Sequence, residues 1–229
     1  MAPTTVAEAL AACLAALAEH GLLLMQDQRL PSVVGIIAGG PLRGSWWGHP
    51  DGASIYHTML ALEDHPDLLE TKLVDGKVTY VHRRLWPALV ATGLSAAPWQ
   101  TTGLSAEASW LMDCLARNGD IQLNELPVPA GLTRKRLPEA ARELERRLLA
   151  RGYSVHTPRG AHAKCLETWS RWTERAAPDL KLPGSAAARA ELEAAAVGLG
   201  PQAPGLVPWR TKSGYRSVAS VHHDAKMPA

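Results

Sequence analysis

SAEASWLMDCLARNG (105–119), DIQL (120–123), LPEAARELERRLLARG (137–152), YSVHT (153–157) and AHAKCLETW (161–169) decide the reading of the fold. Ser105 is a helix-capping residue type and Asn118-Gly119 a helix stop. Pro138 falls in the first turn of the next helical pattern, and Gly152 lies just past its expected end. The turn Pro158-Arg159-Gly160 separates two strand-like runs. Helix, short strand, helix pair and hairpin within residues 105–169 is the order of a winged helix. The second helix of that fold commonly lies in a DNA major groove.

Working outward, the first half parses the same way. Thr5 and Glu8 have capping-box spacing ahead of a helix whose Val6, Leu10, Cys13, Leu14 and Leu17 share a face, and Gly21 ends it. LLLM (22–25) is strand-like, and LPSVVGIIAGG (30–40) predicts a brief helix. DGASIYHTMLALEDH (51–65) predicts a longer one, with Ile55, Met59 and Leu62 inward. LLETKLV and KVTYVH flank Asp75-Gly76, the strongest short hairpin signal in the chain. A short helix around Leu85–Val90 closes the half.

The expected fold class is therefore mainly α with small β-hairpins, built as tandem winged helix-turn-helix modules. Residues 1–92 form a winged-helix-like module, 93–104 a linker, 105–175 a winged-helix module, and 176–229 an Ala-rich helix with an irregular Pro/Gly tail.

With 229 residues, 46% of them hydrophobic, the chain has room for one large domain or two of about 100 residues each. A formal charge of +2 means that any nucleic-acid surface has to arise by local clustering. Cys13, Cys114 and Cys165 are isolated and odd in number, as expected of buried thiols in a reducing compartment. The first helix carries Glu8, Glu19 and His20 without a basic flank, so a secretion signal or membrane span is not expected; a cytoplasmic location is.

Between Thr133 and Arg175 lie 11 of the chain's 24 Lys and Arg residues, against five acids. Arg134, Lys135 and Arg136 precede the second helix of that module, Arg142 and Arg146 lie on it, and Arg159 is at the wing tip. These are the places where a winged helix meets phosphates, and double-stranded DNA is the expected partner. The competing reading is a solvated face, since Glu139 and Glu143 stand at helical spacing from these arginines. A protein partner is the alternative use of the fold.

RGSWWGHP (43–50) sets Trp46 and Trp47 beside His49. Two adjacent indoles cannot both face one core from a regular element, so one can stack on an unpaired base, or both fill a seam between modules. MQDQR (25–29) places Gln26, Asp27 and Gln28 at a strand end. As chemistry, a carboxylate and two amides can orient water and stabilise a cationic sugar during N-glycosidic cleavage. As structure, Asp27 or Gln28 caps the turn before Leu30-Pro31-Ser32. His156, His162 and Cys165 lack zinc spacing and a fourth ligand, so no metal is expected. Without a Walker loop, GxGxxG, GxSxG or HExxH, no cofactor is expected either.

The stretch LLLMQDQR (22–29), with ERRLLARGYSVHT (145–157) and Trp169 in the other half, resembles the winged-helix DNA glycosylases that excise alkylated or crosslinked bases. Their Gln-apolar-Gln motif aligns its second polar position with Gln26, leaving Leu24 at the first; shifted, it uses Gln26 and Gln28 with Asp27 between. The resemblance spans roughly residues 5–172 and implies base excision with Gln26, Asp27 or Gln28 in the pocket. Members of that family are longer, with a third winged helix and a β-barrel.

Overall fold

Both halves of the chain build a helix, a short strand, a helical segment and a hairpin in a computed structural model that describes residues 3–156 and 162–211. The first half runs α1 (Val6–His20), β1 (Leu22–Leu24), α2 (Val33–Ile37), α3 (Gly52–Glu63), β2 (Leu68–Val74) and β3 (Lys77–His82). It is followed by α4 (Trp86–Gly93) and α5 (Pro98–Thr101). The second half runs α6 (Ala106–Asn118), β4 (Asp120–Gln122), α7 (Leu137–Arg146), β5 (Arg151–His156) and β6 (His162–Glu167), then α8 (Trp169–Ala176) and α9 (Ser185–Val197). Each half holds one three-stranded antiparallel sheet, ordered β1-β3-β2 and β4-β6-β5. The chain is thus mainly helical with small hairpins.

Local chemistry accounts for most boundaries. The Thr5 hydroxyl accepts the Glu8 N–H while the Glu8 carboxylate accepts the Thr5 N–H, and Gly21 ends α1 at φ 81°. Asp75 and Gly76 take φ of 54° and 63°, the left-handed pair that a two-residue hairpin turn requires.

Three departures from the expected elements have nonlocal causes. First, α7 stops at Arg146, well before Gly152, because Leu148 turns to φ 52° and the chain enters β5. This sends Leu148 into the central core and Leu149 into that of the second module. Second, only one α-helix lies between β4 and β5. Residues 123–133 form a loop, and Arg134–Arg136 a single 3₁₀ turn.

Third, the segments outside the two modules are packed elements. α4 is buried along its length, and α9 lies against it. Together with Leu148, Trp169, Trp172, Leu192, Leu199 and Val207 they form a central core shared by both halves. Trp169 donates its indole N–H to the Leu148 carbonyl at 2.8 Å, and its ring lies so close to Gly93 that a Cβ there would be 2.4 Å away. In the expected linker, Gln100 is fully buried and donates to the carbonyls of Gly93, Arg147 and Leu148. The Pro/Gly stretch 199–211 buries Leu199, Ala203 and Val207, and the Leu206 carbonyl accepts the Asp75 N–H at 2.8 Å. No described helix is long and apolar enough to cross a membrane.

Candidate nucleic-acid interface

The end of β1 is pinned on two sides: Met25 donates to Val78 and accepts from Val34. Gln26 emerges from this corner, and its amide donates to the Gly44 carbonyl at 2.7 Å. That bond ties the strand end to the loop carrying Trp46 and Trp47. Asp27 turns inward, its side chain only 4% exposed. One carboxylate oxygen accepts the N–H groups of Arg29 (2.7 Å) and Leu30 (3.0 Å), and the other meets the Lys77 ammonium at 2.7 Å.

Burial alone would raise the Asp27 carboxyl. Lys77 and the two backbone donors outweigh it and hold Asp27 below its usual range. Asp27 therefore caps the turn before Leu30-Pro31-Ser32. Gln28 and Arg29 are exposed beside it, at a cavity of about 350 Å³ that Asp27 also lines with Ser32, Gly35 and Gly40.

The loop between α2 and α3 is organised by Ser45, whose hydroxyl accepts the Trp47 N–H as Trp46–Gly48 form a 3₁₀ turn. Trp46 is half-buried on the first module's core. Trp47 stacks on it at 4.2 Å between ring centroids, 23° from parallel, and remains 67% exposed. Tyr56 of α3 follows at 5.7 Å from Trp47.

Gly52 opens α3 where a Cβ would sit 3.1 Å from the Trp46 carbonyl, so a glycine there lets the loop close on the helix. His49 lies at the same junction and accepts the Asp51 N–H through Nδ1. The outward face of α3 shows Tyr56, His57 and Leu60, ending in Glu63 and Asp64, with no Lys or Arg. Arg29 and Arg43 are exposed nearby in sequence, and their guanidinium groups make no hydrogen bond or ion pair with described residues.

The cations of the second half are arranged differently. Arg142 and Arg146 both reach Glu139, at 2.7 and 3.3 Å. Burial would raise the Glu139 carboxyl, but these two arginines hold it below its usual range. The aliphatic stem of Arg146 also packs against the Gly76 turn of the first module. Arg147 pairs with Glu143 at 3.0 Å and donates to the carbonyls of Gln100, Thr102 and Gly103.

Arg134 donates to the carbonyls of Asn124 and Leu126, and Arg136 stands 3.9 Å from Glu107. Lys135 is exposed, with no partner among the described residues. On α7 only Pro138, Glu139 and Arg142 are exposed. Arg159 lies outside the described residues.

The structure thus brings Gln26 together with the Trp46–Trp47 loop, and Asp27 and Gln28 to a neighbouring cavity. Tyr56 and Leu60 were not singled out from sequence, although a readable signal exists. They are apolar at i,i+4 on a face flanking the Ile55, Met59 and Leu62 stripe, where a solvated helix would be polar. No group of three or more His, Cys, Asp or Glu that could hold a metal occurs among the described residues. All three cysteines are buried and free, and burial pushes the Cys13 thiol up to about 12. In comparisons with family models, curated proteins and solved structures, nothing matches this chain.

Proposed function

We propose that each half is a winged helix and that the chain binds DNA through the first, with Trp47 stacking on an unstacked base. The order of elements and the strand orders β1-β3-β2 and β4-β6-β5 support the winged-helix reading. The observation that carries the binding reading is Trp47: exposed, stacked on Trp46, and held on a loop tethered by Gln26. An indole fixed in advance loses little freedom on binding, and any base offers it a π-face. Arg29 and Arg43, on the loops flanking Gln26 and Trp46, supply guanidinium charge that no described acid pairs.

Base excision, the enzymatic alternative, draws on Gln26 and Gln28 rather than Asp27, whose carboxylate is engaged by three donors. Fluorescence anisotropy of labelled oligonucleotides tests the binding reading. A single strand and a duplex with a bulged base should bind more tightly than intact duplex, with affinity falling as salt rises. Trp47→Ala should weaken binding by roughly 5- to 150-fold, the range of one lost base–aromatic stack. Absence of binding at low salt, or an unchanged affinity in Trp47→Ala, would refute it.

A second reading, a protein-binding face, is favoured by the apolar surface of Trp47, Tyr56 and Leu60 and the acidic end of α3. It predicts no salt-dependent affinity for any of these oligonucleotides.

A further inference from the structure

A second cavity, of about 480 Å³, lies between α5, α9 and residues 209–210, and shares no residue with the Trp47 face. Its volume is within the range of small-molecule pockets, roughly 300–1,000 Å³. Trp99 and Trp209 line it with ring centroids 5.7 Å apart and planes at 55°. They already touch each other, so a planar ligand would lie against the two rings rather than between them.

Glu193 is fully engaged: its carboxylate accepts two bonds from the Arg210 guanidinium, at 3.0 and 2.8 Å, and one from the Trp209 indole. Arg210 in turn holds the Glu193 carboxyl below its usual range. This network fixes the Trp209 wall in place.

Arg189, one helical turn before Glu193, also lines the cavity. Its guanidinium makes no hydrogen bond or ion pair with any described residue, although its charge is felt by Glu193, which Arg210 already pairs. Among the described residues, the Trp99 indole nitrogen is buried without a partner. The small side chains of Ala186 and Ala190 leave the remaining lining open and apolar.

Aromatic walls, an apolar floor and one guanidinium with unused donors select a ligand that is flat, apolar and singly anionic. We propose that this cavity binds a small aromatic carboxylate, the carboxylate on Arg189 and the ring on Trp99 and Trp209. The site bears on the rest of the molecule through α5. Gln100 of that helix holds carbonyls of both Gly93 and Arg147–Leu148, so a ligand seated on Trp99 braces the junction between the modules.

Calorimetry and thermal unfolding of the full chain with indoleacetate, and with the neutral indoleacetamide as control, test the site. Indoleacetate should bind and raise the unfolding midpoint, while the amide binds at least about tenfold more weakly, because it lacks the charge-assisted bond. Arg189→Gln, at a side chain with no internal bond, should fold normally and lose about tenfold or more in affinity for the carboxylate. Ala190→Trp, at an exposed helix position on the rim, should fill the cavity and abolish binding. No binding of indoleacetate at millimolar concentration, or equal affinity in wild type and both variants, would overturn the proposal.

Discussion

α3 and α7 follow the same kind of short strand and precede the same kind of hairpin, yet one turns outward and the other is packed away. α3 buries Ile55, Thr58, Met59 and Leu62 and shows Tyr56, His57 and Leu60. α7 buries even Glu143 and Glu145, and its last turn carries Arg146 against the first module's hairpin and Arg147 into the linker. Equivalent places in a repeated architecture therefore do not imply equivalent roles. A helix rich in arginine became the bracket between modules, and a helix without cations kept the open face.

The sharpest way to break this comparison is Arg147→Met. It removes the partner of buried Glu143 and the donors to three linker carbonyls. Urea unfolding should show a loss of about 3–4 kcal/mol, the cost of leaving a buried charge unpaired. A loss below about 0.5 kcal/mol, the usual range for surface substitutions, would mean that α7 is a free surface helix after all.

Asp27→Ala comes next. It strips the cap from two backbone donors and one of the two carboxylates paired with the partly exposed Lys77, the other being Asp75; about 2 kcal/mol is expected. The pH dependence follows from the sign of the shift. Asp27 is depressed in the folded state, so its contribution is complete above the unfolded value, about 3.9, and is lost as pH falls through the lower folded value. Wild type should lose urea resistance below about pH 4, and Asp27→Asn should lose less over the same interval. Identical acid profiles would show that the Asp27–Lys77 pair contributes nothing.

On the open face, Tyr56→Ser should leave stability within about 0.5 kcal/mol, as for surface substitutions, and weaken oligonucleotide binding by about threefold through the lost Trp47 contact. Destabilisation well beyond that would place Tyr56 in a core. The smallest effect separates the two arginine populations. Arg43→Gln should reduce the slope of log affinity against log salt by about one, while Arg142→Gln, already neutralised by Glu139, should leave it unchanged. The opposite pattern, read by anisotropy across a salt series, would return the interface to α7.

The candidate site was only half legible. Gln26, Asp27 and the tryptophan pair drew attention because their side chains are unusual for their positions. Their geometry hinges on contacts 18 and 50 residues apart in sequence, Gln26 to Gly44 and Asp27 to Lys77. Spacing could not tell a water-orienting carboxylate from a turn cap, because both put an acid at a strand end. The basic cluster was incompletely legible for a related reason. Counting charges along the chain does not reveal that Glu139, Glu143, Glu145 and Glu167 form ion pairs with six of the eleven cations.

By itself the sequence determined what short-range physics controls: the Thr5–Glu8 capping box, the stop at Gly21, the Asp75-Gly76 turn and the apolar stripes that set the order of helices and strands. Each depends on φ preferences or hydrogen bonds within a few residues. Only the tertiary structure decided that α4, α8, α9 and residues 199–207 form a third core, that α7 exposes only Pro138, Glu139 and Arg142, and that Trp47 lies open. Burial depends on which apolar surfaces meet across distant parts of the chain, and no local pattern encodes that meeting. Proline and glycine in 199–211 hid this packing, since they break up any long helix or strand and leave only the 3₁₀ turn Ala203–Leu206, yet Leu199, Ala203 and Val207 still pack.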